Sequence, residues 1–289
     1  MNRGLVYAFL AYFAWGVLPI YWKLLKHVPA QEILGHRVLW SLVILVGILA
    51  ARREWAWIRR LNRRDLVRFV AISGLLIVNW YVYIWAVNAG FIVETSLGYF
   101  MNPLVNVLLG VLFLRERPRA WQLVAIGIAA SGVLYLTFSY GALPWIGLTL
   151  AFSFGLYGLL KKTAALNALE GLSLEMALLA PAAILFLLWF QQQPGSVTHE
   201  LGLGSWLLLA GTGLITAGPL LSFAAAARRI TLTALGLMQY MAPTMQFLIG
   251  VFLYNEPFNA ARGVGFALIW MALILYTAES IVHVRRRRA

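Results

Sequence analysis

Apolar residues occur in runs of about 20 along nearly the whole chain, separated by short polar breaks. A helix of that length crosses the hydrocarbon core of a bilayer, because each residue advances the helix by about 1.5 Å. The runs predict ten membrane-spanning helices, at residues 4–25, 33–51, 67–88, 95–114, 119–138, 143–161, 173–190, 205–227, 233–254 and 260–281. The expected fold is therefore an all-α membrane protein.

The composition supports a bilayer environment. Of the 289 residues, 62% are hydrophobic and only 11% are charged. The mean hydropathy of +0.81 is far above that of a water-soluble domain, whose surface needs charge. The ten runs leave no room for a separate soluble domain.

The charges are spread through short loops rather than collected in one stripe. A net charge of +13 would favour nucleic acid in a soluble protein, but this distribution does not, and no nucleic-acid partner is expected. In a ten-span arrangement, nineteen Lys and Arg residues fall on one side of the membrane and four on the other. Since cytoplasmic loops carry the excess of positive charge, both termini are predicted to be cytoplasmic.

Parts of the first half of the chain return in the second. Three pairs of segments match in the same order: "FAWGVLPIYWK" (13–23) with "FSFGLYGLLKK" (152–162), "TSLG" (95–98) with "TALG" (233–236), and "NPLVNVLLGVLFLRERP" (102–118) with "APTMQFLIGVFLYNEP" (242–257). The offsets are nearly constant, at 139, 138 and 140. Pro103 falls on Pro243, and Glu116 falls on Glu256.

The repeat predicts two halves of five helices each, residues 1–140 and 141–289. Because five is odd, the second half must enter the membrane with the opposite orientation. Inverted repeats of this kind are typical of secondary transporters, in which two related halves exchange outward-open and inward-open shapes around a site near the midplane.

Several longer segments resemble one family of membrane proteins. They are "AYFAWGVLPIYWKLL" (11–25), "EILGHRVLWS" (32–41), "NWYVYIWAVN" (79–88), "ETSLGYFMNPLVNVLLG" (94–110), "LAFSFGLYGLLKK" (150–162), "LSLEMALLAP" (172–181) and "LGLMQYMAPTMQFL" (235–248). On these residues the chain resembles the EamA-type branch of the drug/metabolite transporter superfamily, and within it the RarD family.

The resemblance implies a protein of the bacterial inner membrane that exports small amphipathic metabolites or drug-like solutes. Its partners would be that solute and the lipid bilayer, with no cofactor and no metal. The resemblance names no substrate, and it leaves the coupling to protons and the oligomeric state open.

Two prolines lie near the middle of their spans, Pro103 in the fourth and Pro243 in the ninth. Each removes a helix hydrogen bond and frees the carbonyl four residues back, that of Tyr99 or Gln239. Polar side chains surround both prolines: Asn102, Asn106, Gln239 and Tyr240. We expect a pair of kinked helices that line a central cavity, since these groups would otherwise need partners in hydrocarbon. The alternative is that the kinks only shape packing.

Further candidates for the cavity wall are Asn79, Trp85 and Trp15. Asn79 lies in the middle of the third span, where it could contact solute or form a structural hydrogen bond between helices. Trp85 follows toward the predicted periplasmic end. Trp15 precedes Gly16, so that an aromatic wall residue and a point of close helix approach lie side by side.

Charged residues within the spans are few. His36 and Arg37 lie about one turn inside the predicted periplasmic end of the second span, either extended toward lipid headgroups or forming a basic vestibule that favours carboxylates or phosphates. Glu175, in the seventh span, and His36 are the two titratable groups that could couple transport to protons. Their scarcity keeps facilitated diffusion open as an alternative.

Other classes of protein find less support. There is no cysteine, the four histidines are dispersed, and Asp65 is the one aspartate. No metalloprotease, dinucleotide-binding or Walker motif occurs, so we do not expect an enzyme. A channel for facilitated diffusion, or a scaffold that transports nothing, remains the alternative to a transporter.

Overall fold

The computed structural model describes residues 3–88, 92–140, 145–197, 200–254 and, within 263–279, all but 266, 269, 273 and 277. Its main helices are α1 (Arg3–Leu24), α2 (Ala30–Arg52), α3 (Arg63–Asn88), α4 (Ile92–Leu114), α5 (Ala120–Tyr140), α6 (Trp145–Thr163), α7 (Ala168–Phe190), α8 (Leu203–Ala227), α9 (Leu232–Gln239) and α10 (Met241–Leu248). A 3₁₀-helix, Ala56–Arg60, precedes α3, and a π-helical turn, Ile249–Leu253, continues α10. The described ranges contain helices and connecting turns but no strand, which agrees with the predicted all-α fold.

The predicted spans coincide with these helices. The first eight match α1 to α8 within a few residues, and the ninth is divided between α9 and α10. The tenth contains the helical stretch Gly263–Tyr276. The two ends of this span lie outside the described residues, as do Glu256 and the basic tail at 285–288. Five helices are long and apolar enough to cross a membrane by themselves: Arg3–Leu24, Ala30–Arg52, Arg63–Ala86, Ala168–Phe190 and Leu203–Ala227.

α7 begins five residues before its predicted start, and a capping box explains the difference. The Asn167 side chain accepts a hydrogen bond from the Glu170 backbone N–H at 3.0 Å, and the Glu170 carboxylate accepts one from the Asn167 N–H at 3.0 Å. These bonds satisfy two donors that the helix itself cannot. The polar first turn lies outside the apolar run, which is why hydropathy alone placed the start at Ser173.

The two halves of the chain form one interleaved bundle. α4 packs mainly on α6 and α9, α1 and α2 pack on α8, and α3 packs on α6. Small residues allow the close crossings: a Cβ built on Gly98 would lie 2.9 Å from the Gly147 carbonyl oxygen, and one built on Gly213 would lie 2.5 Å from the Trp40 carbonyl carbon. Close approach of backbones through small residues is the usual basis of helix association in membranes.

The outer faces of the helices are apolar. Phe138 is 78% exposed, Phe252 76% and Leu185 69%. A continuous apolar exterior of this kind is unfavourable in water and natural against lipid tails. Among the described residues, polar side chains such as Asn79, Asn106 and Gln239 are instead buried inside the bundle, where they bond across from one half to the other.

Candidate functional site: a cavity between the two halves

One cavity lies in the middle of the bundle, and helices of both halves form its wall. α1, α2, α3 and α4 contribute from the first half, and α6, α8, α9 and α10 from the second. Its volume is about 180 Å³. A cavity of about 150 Å³ is known to hold one benzene molecule in another protein, so this one is large enough for a single ring with a small head group.

The floor of the cavity is aromatic. The Trp15 ring lies 5.7 Å from Phe154 in an edge-to-face arrangement, 5.7 Å from Tyr12 and 5.8 Å from Phe223. Phe154 and Phe223 are 5.1 Å apart. Such clusters are rigid and provide apolar contact area for a solute. Trp15, a candidate for the cavity wall from the sequence, lines the cavity.

Amides form a second part of the wall. Gln239 lines the cavity, and its Oε1 accepts at 2.9 Å from Nδ2 of Asn106, a fully buried residue outside the wall, so that α4 is joined to α9. Gln246 Nε2 donates to the Trp15 carbonyl at 2.9 Å and joins α10 to α1. Asn102 is 2% exposed and lines the cavity, and its Oδ1 has no hydrogen-bond partner among the described residues. The cavity therefore offers an unused acceptor beside two fixed amides.

Asn79 forms structural hydrogen bonds between helices, one of the two interpretations that the sequence left open, while a contact with solute stays a prediction. It lines the cavity, and its Nδ2 donates to the Leu150 carbonyl and to Ser153 Oγ, each at 3.0 Å. Both bonds cross from α3 to α6. Tyr99 also lines the cavity, with its ring 5.8 Å from that of Tyr83.

Arg37 is the one charged side chain in the described wall of the cavity. Its guanidinium lies between two indole rings, 4.7 Å from the Trp80 centroid and 5.2 Å from that of Trp22. Its Nε donates to Thr216 Oγ1 on α8 at 3.0 Å. Of the two residues for which the sequence offered a basic vestibule as one alternative, Arg37 reaches the cavity.

His36 does not accompany Arg37. Its ring packs edge-to-face on Trp206 at 5.4 Å, outside the cavity wall, and its Nε2 has no partner among the described residues. Consecutive residues of a helix are about 100° apart around the axis, so one can face the cavity while the next faces a neighbouring helix.

Three other candidates lie away from the cavity. Trp85 is 40% exposed and its ring lies 5.6 Å from Trp145, near the end of α3. Tyr240 is fully buried at the junction of α9 and α10, and its hydroxyl has no partner among the described residues. Pro103 does not line the cavity but packs on α9, since a Cβ built on Gly236 would lie 2.7 Å from the Pro103 carbonyl oxygen.

The two prolines affect their helices differently. α4 continues through Pro103 without interruption, whereas the ninth span is divided at Tyr240, three residues before Pro243. Because α10 starts at Met241, Pro243 occupies its first turn, where no intrahelical N–H is needed. Pro243 also lines the cavity. The ninth span is thus interrupted near its proline, whereas α4 remains one helix through Pro103, and a bend at each proline stays a prediction.

Glu175 forms an ion pair outside the cavity. It is completely buried, with Oε1 2.5 Å from Lys161 Nζ, and Tyr157 donates from its hydroxyl to Oε2 at 3.1 Å. Lys161 itself is 3% exposed. The pair joins α6 to α7, near the end of the bundle where α4, α6 and α8 finish and α7 and α9 begin, which we call the basic end.

Further polar contacts close the basic end. Glu116 accepts hydrogen bonds from the Leu232 N–H at 2.7 Å, the Thr233 N–H at 3.0 Å and the Thr233 hydroxyl at 2.9 Å. Lys162 Nζ donates to the Ala227 and Ile230 carbonyls, and Arg228 donates to the carbonyls of Ala164 and Leu166. The cavity, in contrast, is lined by the middle of the helices and by their halves remote from the basic end.

Sequence reasoning missed several wall residues. Gln246 occupies the position of Asn106 at the repeat offset of 140, so the repeat itself could have found it. Trp80 and Thr216 carried no such signal, because nothing in the sequence states that Arg37 of α2 meets α3 and α8. In the described part of the chain, no group of three or more His, Asp or Glu residues could hold a metal ion.

Apolar outer helix faces around a buried polar and aromatic cavity define the class: a multi-pass membrane protein. Residues 2–138 match the EamA-like transporter family. Protein RarD of Streptomyces exfoliatus is 47% identical over 100% of this chain and 92% of its own length. The uncharacterized transporter YojE of Bacillus subtilis (strain 168) is 46% identical over 97% of this chain and 95% of its own. The chain belongs to the EamA-like transporter family, among its RarD-type drug/metabolite transporters.

Two further comparisons agree. Protein RarD of Escherichia coli (strain K12) is 42% identical over 99% of this chain and 97% of its own length. A solved crystal structure of another protein aligns with 96% of this chain and 98% of its own, with a TM-score of 0.75 and 18% sequence identity. At that identity the likeness concerns the fold alone. The protein is thus a bacterial multi-pass membrane transporter of the EamA type.

Proposed function

We propose that this transporter is a secondary carrier of the inner membrane, which exports a small amphipathic solute by alternating access through the central cavity. The observation that carries the proposal is the construction of that cavity from helices of both halves, in which the equivalent residues Trp15 and Phe154 both line the wall. The aromatic floor and the amide groups match the mixed character of such a solute.

Equivalent residues of the two halves make equivalent contacts. A Cβ built on Gly16 would lie 2.8 Å from Met245 Cβ, and one built on Gly155 would lie 2.7 Å from Val105 Cγ1. Gly16 corresponds to Gly155 at the repeat offset of 139, and Val105 to Met245 at 140. Helix partners exchange in the same way, since α1 packs on α8 while α6 packs on α3. This supports an inverted repeat, with its first half at 1–140 and its second at 141–289.

The present conformation supports an outward-open state. The cavity lies toward the predicted periplasmic side, and the basic end, predicted to be cytoplasmic, is closed by Glu116, Lys162, Arg228 and the Lys161–Glu175 pair. In an alternating-access cycle these contacts would break when the cavity opens inward. We therefore assign Glu175 to this gate rather than to the solute site, and we leave proton coupling to a flux measurement across imposed pH gradients.

Counterflow in proteoliposomes tests the proposal. Purified protein is first screened by thermal shift against metabolites and drug-like compounds, including chloramphenicol because of the name of the relative "Chloramphenicol-sensitive protein RarD" of Pseudomonas aeruginosa. A labelled hit is then presented to vesicles loaded with the same unlabelled compound. A carrier accumulates label transiently by exchange. A channel gives downhill leak without exchange and a scaffold gives neither, and either result would overturn the proposal.

Two variants connect exchange to the cavity. Asn102→Ala and Gln239→Ala are expected to abolish exchange while leaving membrane insertion intact, because each removes a polar group of the wall. Gln192→Ala, an exposed glutamine beyond α7, serves as the matched control and should exchange normally. Normal exchange by both cavity variants would overturn the assignment of the solute site.

The predicted orientation needs a separate test. A reporter enzyme that is active only in the cytoplasm, fused after the last residue, should be active. An inactive cytoplasmic reporter, together with activity of a second reporter that works only in the periplasm at the same position, would overturn the ten-span arrangement with both termini inside.

A further inference from the structure

We propose that the solute carries an oxyanion head group, a carboxylate or a phosphate, and that Arg37 binds this group in the cavity. The inference rests on the proposed function and specifies the chemical class of the solute. It is carried by three features of Arg37: how it is held, what it lacks, and what stands in its place in the other half of the chain.

Arg37 is held in a fixed position that leaves part of its binding capacity unused. Trp22 and Trp80 flank the guanidinium plane at 5.2 and 4.7 Å, and Thr216 accepts from Nε at 3.0 Å. In the described part of the chain, neither Nη group has a hydrogen-bond partner. A guanidinium presents its N–H groups as a rigid fork that suits carboxylate and phosphate oxygens. The structure thus positions the Arg37 guanidinium and provides an acceptor for its Nε, but none among the described residues for its two Nη groups.

Arg37 also lacks a counter-ion. Among the described residues, no carboxylate forms an ion pair with it, and the described wall of the cavity contains no Asp or Glu. A positive charge within a membrane protein is unfavourable unless it is paired, solvated or functional. The indole faces compensate part of this cost through cation–π attraction. An anion from outside would compensate the remainder.

The second half of the chain shows what a satisfied version of this site looks like. At an offset of 138, Glu32 falls on Glu170 and Arg37 falls on Glu175. Glu175 has its own counter-ion, Lys161. At the offset of 139 that relates α1 to α6, the position of Lys161 is occupied by Trp22 in the first half. One half therefore holds a complete ion pair, whereas the other holds a charge with an aromatic ring where its partner would be.

The rest of the cavity limits the size of the anion. A volume of about 180 Å³ with the floor of Trp15 and Phe154 suits one ring joined to a small head group. A lipid headgroup would supply the same phosphate chemistry from a different source. Acids with a phenyl ring and a short chain are therefore the appropriate probes, and lipid composition is the appropriate second variable.

Matched acids and amides test the proposal by binding alone. The probes are benzoate, phenylacetate, 3-phenylpropionate and 4-phenylbutyrate, each compared with its neutral primary amide, which has nearly the same shape. Dissociation constants are measured on purified protein in nanodiscs of phosphatidylcholine. We expect at least one acid to bind roughly tenfold or more tightly than its amide, as one charge-assisted contact provides.

Variants then assign the difference to Arg37. Arg37→Gln should abolish the preference for the acid, and Arg37→Lys should retain part of it, because a lysine keeps the charge but not the fork. Lys23→Gln serves as the control. It removes one positive charge from the last turn of α1, at an exposed residue outside the cavity wall, and should leave the preference for the acid unchanged. Melting temperatures without probe establish that each variant is folded.

Three results would overturn the proposal. The first is wild-type protein that binds no acid more tightly than its amide, a comparison that needs no variant. The second is an acid preference that survives in Arg37→Gln. The third is loss of acid binding when phosphatidylglycerol replaces part of the phosphatidylcholine in wild type, which would assign Arg37 to a lipid headgroup. When any of these three results is accompanied by exchange of a neutral solute, the carrier is retained and only the anion is rejected. Absence of any exchange would reject the carrier, so the two failures are distinguishable.

Discussion

The contact between Glu116 and the start of α9 leads to a prediction that can be worked out from the structure. The first N–H groups of a helix have no acceptor within the helix. Here the Glu116 carboxylate accepts from two of them, Leu232 at 2.7 Å and Thr233 at 3.0 Å, and from the Thr233 hydroxyl. This single side chain therefore joins the end of α4 to the beginning of α9 across the basic end.

Replacing Glu116 by Gln keeps the shape of the side chain but removes its charge and one acceptor oxygen. A hydrogen bond to a charged group contributes about 1.5–3 kcal/mol, and a negative charge at a helix start about 0.3–1 kcal/mol. Since the amide retains one carbonyl oxygen, we expect a loss of about 2 kcal/mol, which corresponds to a change of roughly 30-fold in the local opening equilibrium.

Hydrogen–deuterium exchange of purified protein measures this change. Peptides that contain Leu232 and Thr233 should exchange roughly 30-fold faster in Glu116→Gln than in wild type. Glu54→Gln, an exposed carboxylate after α2, provides the control and should leave these peptides unchanged. Unchanged exchange at both amides in Glu116→Gln would refute the view that this carboxylate holds the basic end closed.

The remaining predictions concern packing and the buried ion pair. Gly236→Ala should lower the melting temperature, because its Cβ would lie 2.7 Å from the Pro103 carbonyl oxygen and backbone cannot give way easily. Gly47→Ala, which would meet nothing within 4 Å, should show no such loss, and equal losses in both would contradict the packing argument. Lys161→Met should lower stability by about 3–5 kcal/mol because it leaves Glu175 buried and unpaired. The double variant Lys161→Met, Glu175→Gln should regain much of the lost free energy of unfolding, as measured by chemical denaturation. No gain in the double variant would contradict the ion-pair account.

Much of the fold could be predicted from the sequence, since an apolar run long enough to cross a bilayer has few alternatives to a helix. The sequence could not predict that α4 continues through Pro103 while the ninth span is divided near Pro243. Both prolines have similar apolar neighbours, and whether a helix continues or restarts depends on how neighbouring helices satisfy the freed backbone groups. That packing is a property of the assembled bundle.

Some residues of the cavity wall could be predicted from the sequence, and others depend on how the helices pack. The places of Asn102 and Gln239 in the wall follow from a general rule, because an amide at mid-span needs a partner or a cavity. Trp15 was expected there from the glycine beside it, which marks a point of close helix approach. Arg37 was recognised as unusual, but its position between two indoles depends on how α2 lies against α1 and α3. Trp85, which shares its type and depth with plausible wall residues, lies on Trp145 instead, because helix rotation decides which side of α3 faces inward.

The central claim is that the cavity opens to one side of the membrane at a time, and cysteine labelling tests it directly. The native chain has no cysteine, so Leu18→Cys places a single thiol in the cavity wall. A membrane-impermeant maleimide should label this thiol in right-side-out vesicles and not in inside-out vesicles. Adding Glu116→Gln should raise labelling in inside-out vesicles by loosening the basic end. Equal labelling from both sides with Glu116 intact, or labelling from the inside alone, would contradict the account.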